Sequence, residues 1–276
     1  MTMTVRTNVA AIQASGSLAK TQKALGRSLE RISSGLRINR AADDAAGLGV
    51  ATNLETDTIS QKQGMRNAND GISIIQTAES ATNEVTDILQ RMRELAIQSA
   101  SETLDDDERS YIQDEFIELS EEVERISAST EFNGISLTNN TSTQIDVQVG
   151  IQNSTTSRIS LDLGDLRATS LGVSSTQMSL ASVTSAQEAL DAIDTAIDSV
   201  NSYRSELGAV QNRLDSAINN AQVFVEALTA AESRIRDTDF ATETSELTKL
   251  QILQQSGVAA LAQAKNINQS VISLLS

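Results

Sequence analysis

The chain has 276 residues, a formal net charge of −16, and no Pro, Cys, His or Trp. Without Cys there is no disulfide and no thiolate metal site, and without His the usual general base, zinc ligand and near-neutral proton switch are absent. Aromatic residues make up 2% of the chain, so aliphatic and Ala side chains must do the packing, which suits rods of helices, and an acidic surface excludes nucleic acid as the expected partner.

The first predicted helix runs from about Asn8 to about Ile38. Leu18, Leu25, Leu29, Ile32 and Leu36 recur there at seven, four, three and four residues, the spacing of a coiled-coil seam. Charges before Asp43 are nearly all basic and read as a solvated helix face rather than an arm for phosphates or anionic lipid. The opening Met1-Thr-Met-Thr-Val-Arg6 has no apolar core or cleavage site of a secretory signal. No stretch approaches the roughly 20 apolar residues of a membrane span, so no membrane insertion is expected.

A polar break at Asn39–Asp44 follows, with Asp43 or Asp44 suited to cap the next helix. Met65, Ala68, Ile72, Ile75, Thr82, Val85, Leu89, Met92 and Ala96 keep one face of that helix apolar or small. Gly71 lies inside it at a small cost in stability. Gly47-Leu-Gly49 reads as close helix packing rather than a nucleotide cradle.

After a polar joint at Ser99–Thr103, a third helix opens with Asp105-Asp-Asp-Glu108 and carries the stripe Ile112, Phe116, Leu119, Val123 and Ile126. Adjacent helical residues diverge, so the acidic run reads as helix N-terminal charge, not as a cation site. Asn133-Gly134 signals a turn. The alternating segments Gln144–Val149 and Ile159–Leu163 predict a β-hairpin. Its Ser/Thr-rich flanks, Thr138–Thr143 and Thr169–Ser185, read as surface loops.

The fourth helix is expected from Gln187 to Ile235, roughly 70 Å at 1.5 Å per residue. Its track is Leu190, Ile193, Ile197, Val200, Leu207, Leu214, Ile218, Ala221, Val225, Leu228 and Ile235, with Arg204 and Gln211 filling it. Asp191, Asp194 and Asp198 form a solvated acidic stripe rather than a metal site. A second polar joint, Arg234–Phe240, precedes the last helix. There Leu250, Leu253, Gly257, Ala260, Ala264, Ile267, Val271 and Leu274 alternate steps of three and four.

The order predicts a mainly α fold, a rod of long helices in coiled-coil-like packing with a small β-hairpin region and the termini paired as a two-helix coiled coil. Residues 1–41 and 236–276 form one discontinuous terminal-helix domain. Residues 42–235 form a core of three long helices plus the hairpin and loops at about 132–185. No HExxH, GxGxxG or GxxxxGK[ST] pattern is present. No base stands ready to activate the many serines. The chain therefore reads as a non-enzyme with no catalytic residues, no cofactor and no metal.

Longer segments carry a resemblance. Ala24-Leu-Gly-Arg-Ser-Leu-Glu-Arg-Ile-Ser-Ser-Gly-Leu-Arg-Ile-Asn39, Ala42-Asp-Asp-Ala-Ala-Gly47, Arg66-Asn-Ala-Asn-Asp-Gly-Ile-Ser73 and Leu89-Gln-Arg-Met-Arg-Glu-Leu-Ala-Ile-Gln-Ser99 resemble bacterial flagellin. So do Phe132-Asn-Gly134, Leu207-Gly-Ala-Val-Gln-Asn-Arg213, Gln251-Ile-Leu-Gln-Gln255 and Ser273-Leu-Leu275. They cover about the first half and the last third of the chain, and the short middle resembles a minimal form without large variable outer domains.

The resemblance implies a subunit of the extracellular flagellar filament, a helical homopolymer for swimming. The terminal helices would line the inner tube through the seam residues, and the core would form the outer tube. It also implies passage through the flagellar export apparatus without a cleaved signal, an export chaperone on the last helix, and filament cap and hook–filament junction partners. The flagellin-sensing Toll-like receptor is a further implied partner. Gln90, Arg91, Leu95, Glu115 and Ile193 match its site in identity, and Ile197 stands where Leu is common. Arg91 and Leu95 are four apart and share a helix face, an exposed cation beside an apolar anchor. The alternatives are a hook–filament junction protein and a non-flagellar coiled-coil scaffold.

Overall fold

The structure, a computed structural model, describes residues 7–139 and 144–273, with side chains of the last helix described to residue 266. Its elements in order are α1 (Val9–Ser34), α2 (Ala45–Ser99), α3 (Asp106–Ser129), β1 (Glu131–Phe132), β2 (Ile135–Ser136), β3 (Gln144–Gln148), β4 (Arg158–Asp162), α4 (Val183–Arg236) and α5 (Phe240–Ser273). The fold is mainly α, as the periodicity predicts.

The helix ends follow local chemistry. The Asn8 side chain accepts the Ala11 N–H at 2.9 Å to start α1, and Gly35 ends it at φ 74°, its N–H donating to the Arg31 carbonyl at 2.9 Å. Asp44 accepts the Gly47 N–H at 2.8 Å. A side chain on Gly47 would put a Cβ 2.8 Å from Ile38 Cδ1, so this glycine serves close packing. The acidic run at α3 is a capping box between Asp105 and Glu108. Asn133 (φ 50°) and Gly134 (φ 77°) turn β1 into β2.

The chain divides into two compact units, residues 1–56 with 227–276, and residues 57–226; α2 and α4 contribute to both. In the second unit one apolar cluster draws on α2, α3, α4, the β3–β4 hairpin and the following loop. Ile75, Leu89, Met92, Leu95, Phe116, Ile193, Leu207 and Leu214 are its largest fully buried helical side chains.

The α4 track differs from the sequence expectation at two places. Tyr203 and Val210 point inward, and Arg204 lies on the flank within 3.8 Å of Glu79. A straight helix drifts about 20° per heptad against a strict seven-residue repeat, so the inward position moves by one residue along the helix. The Ser/Thr-rich flanks also differ. Thr138, Val173 and Leu180 are buried, because the Ser99 hydroxyl donates to the Leu180 carbonyl at 2.6 Å and Ser127 and Thr138 bond each other's backbone carbonyls at 2.5 and 3.0 Å.

β3 pairs antiparallel with β4, from Gln144 opposite Asp162 to Gln148 opposite Arg158. Val147, Ile159 and Leu161 turn inward, in the alternation of a one-faced hairpin. Two α2 glycines seat it. A Cβ on Gly64 would collide with the Val149 carbonyl oxygen, and one on Gly71 would lie 3.1 Å from a Val147 methyl. Gly71 thus makes room for a strand.

Arg109 is buried, and its guanidinium donates to the carbonyls of Ser99, Ser101 (3.0 Å) and Leu104 (2.9 Å). It closes the C-terminus of α2, where helix carbonyls have no partner of their own.

Arg109→Ala should cost about 1–3 kcal/mol of unfolding free energy, since it leaves buried carbonyls unpaired. Urea denaturation checks this, and Arg109→Lys should recover only part of the loss. Gly64→Ala should likewise cost about 1–3 kcal/mol by overpacking. Gly26→Ala, whose Cβ meets open space in α1, should be neutral or stabilising.

Candidate functional site

The first unit is built on α1 and α5, which pair along their lengths. Four contacts set an antiparallel register. The Asn8 amide donates to the Ala264 carbonyl at 2.8 Å, and Gly257 faces Leu18, where a Cβ would lie 3.3 Å from Leu18 Cδ1. Arg31 pairs with Glu243 at 3.7 Å, and Leu36 bridges Asp237 antiparallel.

Each helix turns one stripe inward. On α1 the buried or half-buried positions include Ala11, Ala14, Leu18, Thr21, Leu25, Ser28 and Ile32; on α5 they include Glu243, Leu247, Leu250, Gln254, Gly257, Leu261 and Ala264. The expected seam therefore splits. Leu18, Leu25, Ile32, Leu36, Leu250, Gly257 and Ala264 are covered at least in part. Leu29, 50% exposed, and Leu253, 47% exposed, lie on another face, as does Ala260. Ser28 and Gln254 take the inward places beside them. Ile267 and Val271 have only their backbone described, and Leu274 lies outside the described residues.

The outward face carries more apolar surface. Val9, Ile12, Ile252 and Val258 are exposed alongside Leu29 and Leu253. Such a run of exposed large side chains along one helix pair marks an interaction surface.

The open end of the pair is held by its two connections. The Arg37 N–H donates to the Arg236 carbonyl at 2.6 Å, its guanidinium to the Ile235 carbonyl at 2.6 Å, and the Thr238 N–H to the Gly35 carbonyl at 2.9 Å. Arg236 reaches Glu55 at 3.2 Å and Glu232 at 3.5 Å. Sequence reasoning passed over Arg37 and Arg236. Arg236 lies in the second polar joint, and Arg37 stands two residues before the first. Asp239 starts α5 by accepting the Thr242 hydroxyl at 2.8 Å and the N–H groups of Ala241 and Thr242 at 2.9 and 3.3 Å. The Thr242 hydroxyl, then those amides, hold its carboxyl below the usual range.

The receptor-matching residues lie in the second unit and do not form one exposed patch. Gln90, Arg91 and Glu115 are exposed and Ile197 is half-buried. Arg91 bonds Glu115 at 2.7 Å and Glu94 at 2.9 Å, and these carboxylates raise its pKa above the ordinary value. Leu95, 1% exposed, and Ile193, 0% exposed, belong to the core. Residues four apart differ by about 40° around a helix, enough to leave Arg91 in solvent and put Leu95 inside. Leu95 is therefore not an exposed anchor beside Arg91.

Among the described residues, no group of His, Cys, Asp and Glu is placed to hold a metal ion, and no helix is long and apolar enough to cross a membrane. The pattern of the bacterial flagellin N-terminal helical region matches residues 5–143, and that of the C-terminal helical region matches residues 190–275. A flagellin of Halalkalibacterium halodurans is 45% identical over 249 residues, covering 90% of this chain and 91% of its own. The chain belongs to the bacterial flagellin family. A flagellar filament 33 kDa core protein of Treponema phagedenis is 39% identical, covering 99% of this chain and all of its own. The crystal structure of Bacillus cereus flagellin superposes with a TM-score of 0.50 at 30% identity, covering 56% of this chain and 88% of that one. The chain is accordingly a structural protein of the flagellar filament, outside the cell, and not an enzyme.

Asp239 has a folded pKa below its unfolded one, so its contribution is present above the ordinary Asp range and lost as pH falls through the folded value. Acidification below about pH 4 should loosen the start of α5, followed by the amide shifts of Ala241 and Thr242. Asp239→Ala should remove that acid step.

Proposed function

We propose that the chain polymerises by burying the exposed apolar side chains of each α1–α5 pair against other copies. Residues 1–41 and 236–276 then make the inner tube around the channel, and residues 42–235 the outer tube. The exposed apolar run on an already paired α1 and α5 carries this reading. Two helices satisfy one stripe each, and exposed large aliphatic side chains gain about 25 cal/mol per Å² when covered. The name of the Treponema relative, a filament core protein aligned over its full length, supports the same conclusion.

The purified chain, seeded or salted out, should give filaments micrometres long by electron microscopy. Short rings would instead indicate a junction collar, and discrete oligomers a scaffold. Leu253→Asp should abolish elongation while leaving the monomer's melting temperature nearly unchanged, because Leu253 is already half in solvent. Residues before about Asn39 should be cut by protease faster in the free monomer, where the outer side of α1 is in solvent, than in the polymer.

The same reading includes export through the flagellar apparatus, a chaperone covering α5 beforehand, and docking to cap and junction proteins. It also includes recognition by the flagellin-sensing Toll-like receptor at Gln90, Arg91 and Glu115, whose side chains reach solvent. Arg91→Ala should weaken receptor binding without moving the melting temperature. Unchanged binding would remove this part of the proposal.

A further inference from the structure

One turn in the second unit is built from a dipeptide with chemistry of its own. β1 and β2 pair through Glu131 with Ser136 and Phe132 with Ile135, and only Asn133 and Gly134 connect them. Both connecting residues have positive φ, 50° and 77°, the twist that a two-residue hairpin needs. Asn133 is the one non-glycine residue with positive φ among the described residues. Asn is one of the few side chains that take this conformation at small cost. The turn thus has a structural reason for its sequence, and a reactivity that comes with it.

An Asn amide followed by Gly sets an electrophile beside an unhindered nucleophile. Gly134 has no Cβ to hold its backbone nitrogen away from the Asn133 Cγ. Both residues are exposed. Among the described residues, no hydrogen bond engages the Asn133 side chain or the Gly134 N–H. The sequence has no other Asn-Gly pair. Attack requires rotation about the Asn133 backbone, and little holds that backbone in place. β1 and β2 are two residues each, a ladder short enough to open locally while the unit stays folded.

We propose that Asn133 is a site of spontaneous deamidation in the folded chain. The Gly134 nitrogen loses its proton to hydroxide and attacks the Asn133 Cγ. The new N–Cγ bond closes a cyclic imide. The side-chain nitrogen leaves as ammonia, taking a proton from water and returning hydroxide. Water then opens the imide at one of its two carbonyls. Breaking the N–Cγ bond leaves an aspartate in the original main chain. Breaking the original peptide bond leaves an isoaspartyl link, with the main chain now running through Cγ. The net change is amide and water to carboxylate and ammonium, with no oxidant or reductant.

The turn accepts these two products differently. Aspartate takes positive φ much as Asn does. The isoaspartyl link lengthens the main chain by one methylene, and a two-residue turn cannot then keep Phe132 opposite Ile135. β2 runs directly into Leu137 and Thr138, which are both buried. The Leu137 N–H donates to the Thr130 carbonyl at 3.1 Å, and Thr138 and Ser127 bond each other's carbonyls. The link therefore loosens a strand that leads into the core. The change is one-way, so it records the time since folding, and it does not depend on the filament reading.

The test incubates the folded full-length chain at mildly alkaline pH and maps its peptides by mass spectrometry. The peptide carrying Asn133 should gain the mass of an amide-to-acid exchange and split into two forms before any other Asn peptide changes. An isoaspartyl methyltransferase with a labelled methyl donor should label one of the two forms. Conversion should quicken as pH rises, because the attacking nitrogen must lose its proton. Hydroxylamine, which cleaves the imide, should cut the folded chain between Asn133 and Gly134. Asn133→Asp should melt with the unconverted chain, while the isoaspartyl form melts lower and exchanges its Leu137 amide faster. Conversion confined to the urea-unfolded chain would overturn the proposal, because the turn would then protect the site. Intact Asn133 in both states would overturn it as well. An isoaspartyl form as stable as the unconverted chain would overturn the loosening of β2.

Discussion

A pair of helices can bury only the stripe that each turns toward the other. The rest of the molecule depends on this constraint. α1 and α5 satisfy it with an antiparallel register held from Asn8–Ala264 at one end to Leu36–Asp237 at the other. Both helices also leave large apolar side chains in solvent, Ile12 and Leu29 on one and Ile252, Leu253 and Val258 on the other. A pair of this kind has burial still to gain from further copies, and the family to which the chain belongs builds filaments.

The second unit solves a different problem. With 2% aromatic residues, its core relies on Ala, Val, Leu and Ile, and close approach replaces large rings. Ala78, Ala96, Ala186, Ala189 and Ala196 are buried. Gly64 and Gly71 let a β-strand lie against helix backbone. Polar anchors then fix the loops that small side chains cannot hold. Arg109 gathers three carbonyls at the end of α2, and Ser99 and Ser127 tie neighbouring loops to their helices. Leaving such carbonyls unpaired in the interior would cost more than each bond contributes. The Ser/Thr-rich flanks therefore enter the core at Thr138, Val173 and Leu180 although their composition suggests solvent.

Much of this was legible in the residues. The helices, the turn at Asn133-Gly134, the hairpin alternation, a cap at Asp43 or Asp44 and the acidic start of α3 follow from local rules that need no distant partner. Family membership was legible as well, because long segments such as Leu89–Ser99 carry many specific side chains in order. The choice of face was less so. A three-four repeat marks both of two neighbouring stripes, and Leu29 and Leu253 fit the repeat as well as Leu25 and Leu250 do. Leu95 shows the same limit: from the sequence it shares a face with Arg91, while in the fold it lies inside.

Sequence alone determined the elements and their order, since these rest on periodicity and caps. Tertiary structure decided which stripe is covered and which Arg is buried. Those outcomes depend on rotations of a few tens of degrees about a helix axis and on pairings between residues far apart in the chain, such as Arg236 with Glu55. No local pattern encodes them, because the partner that selects one face over its neighbour lies elsewhere in the sequence.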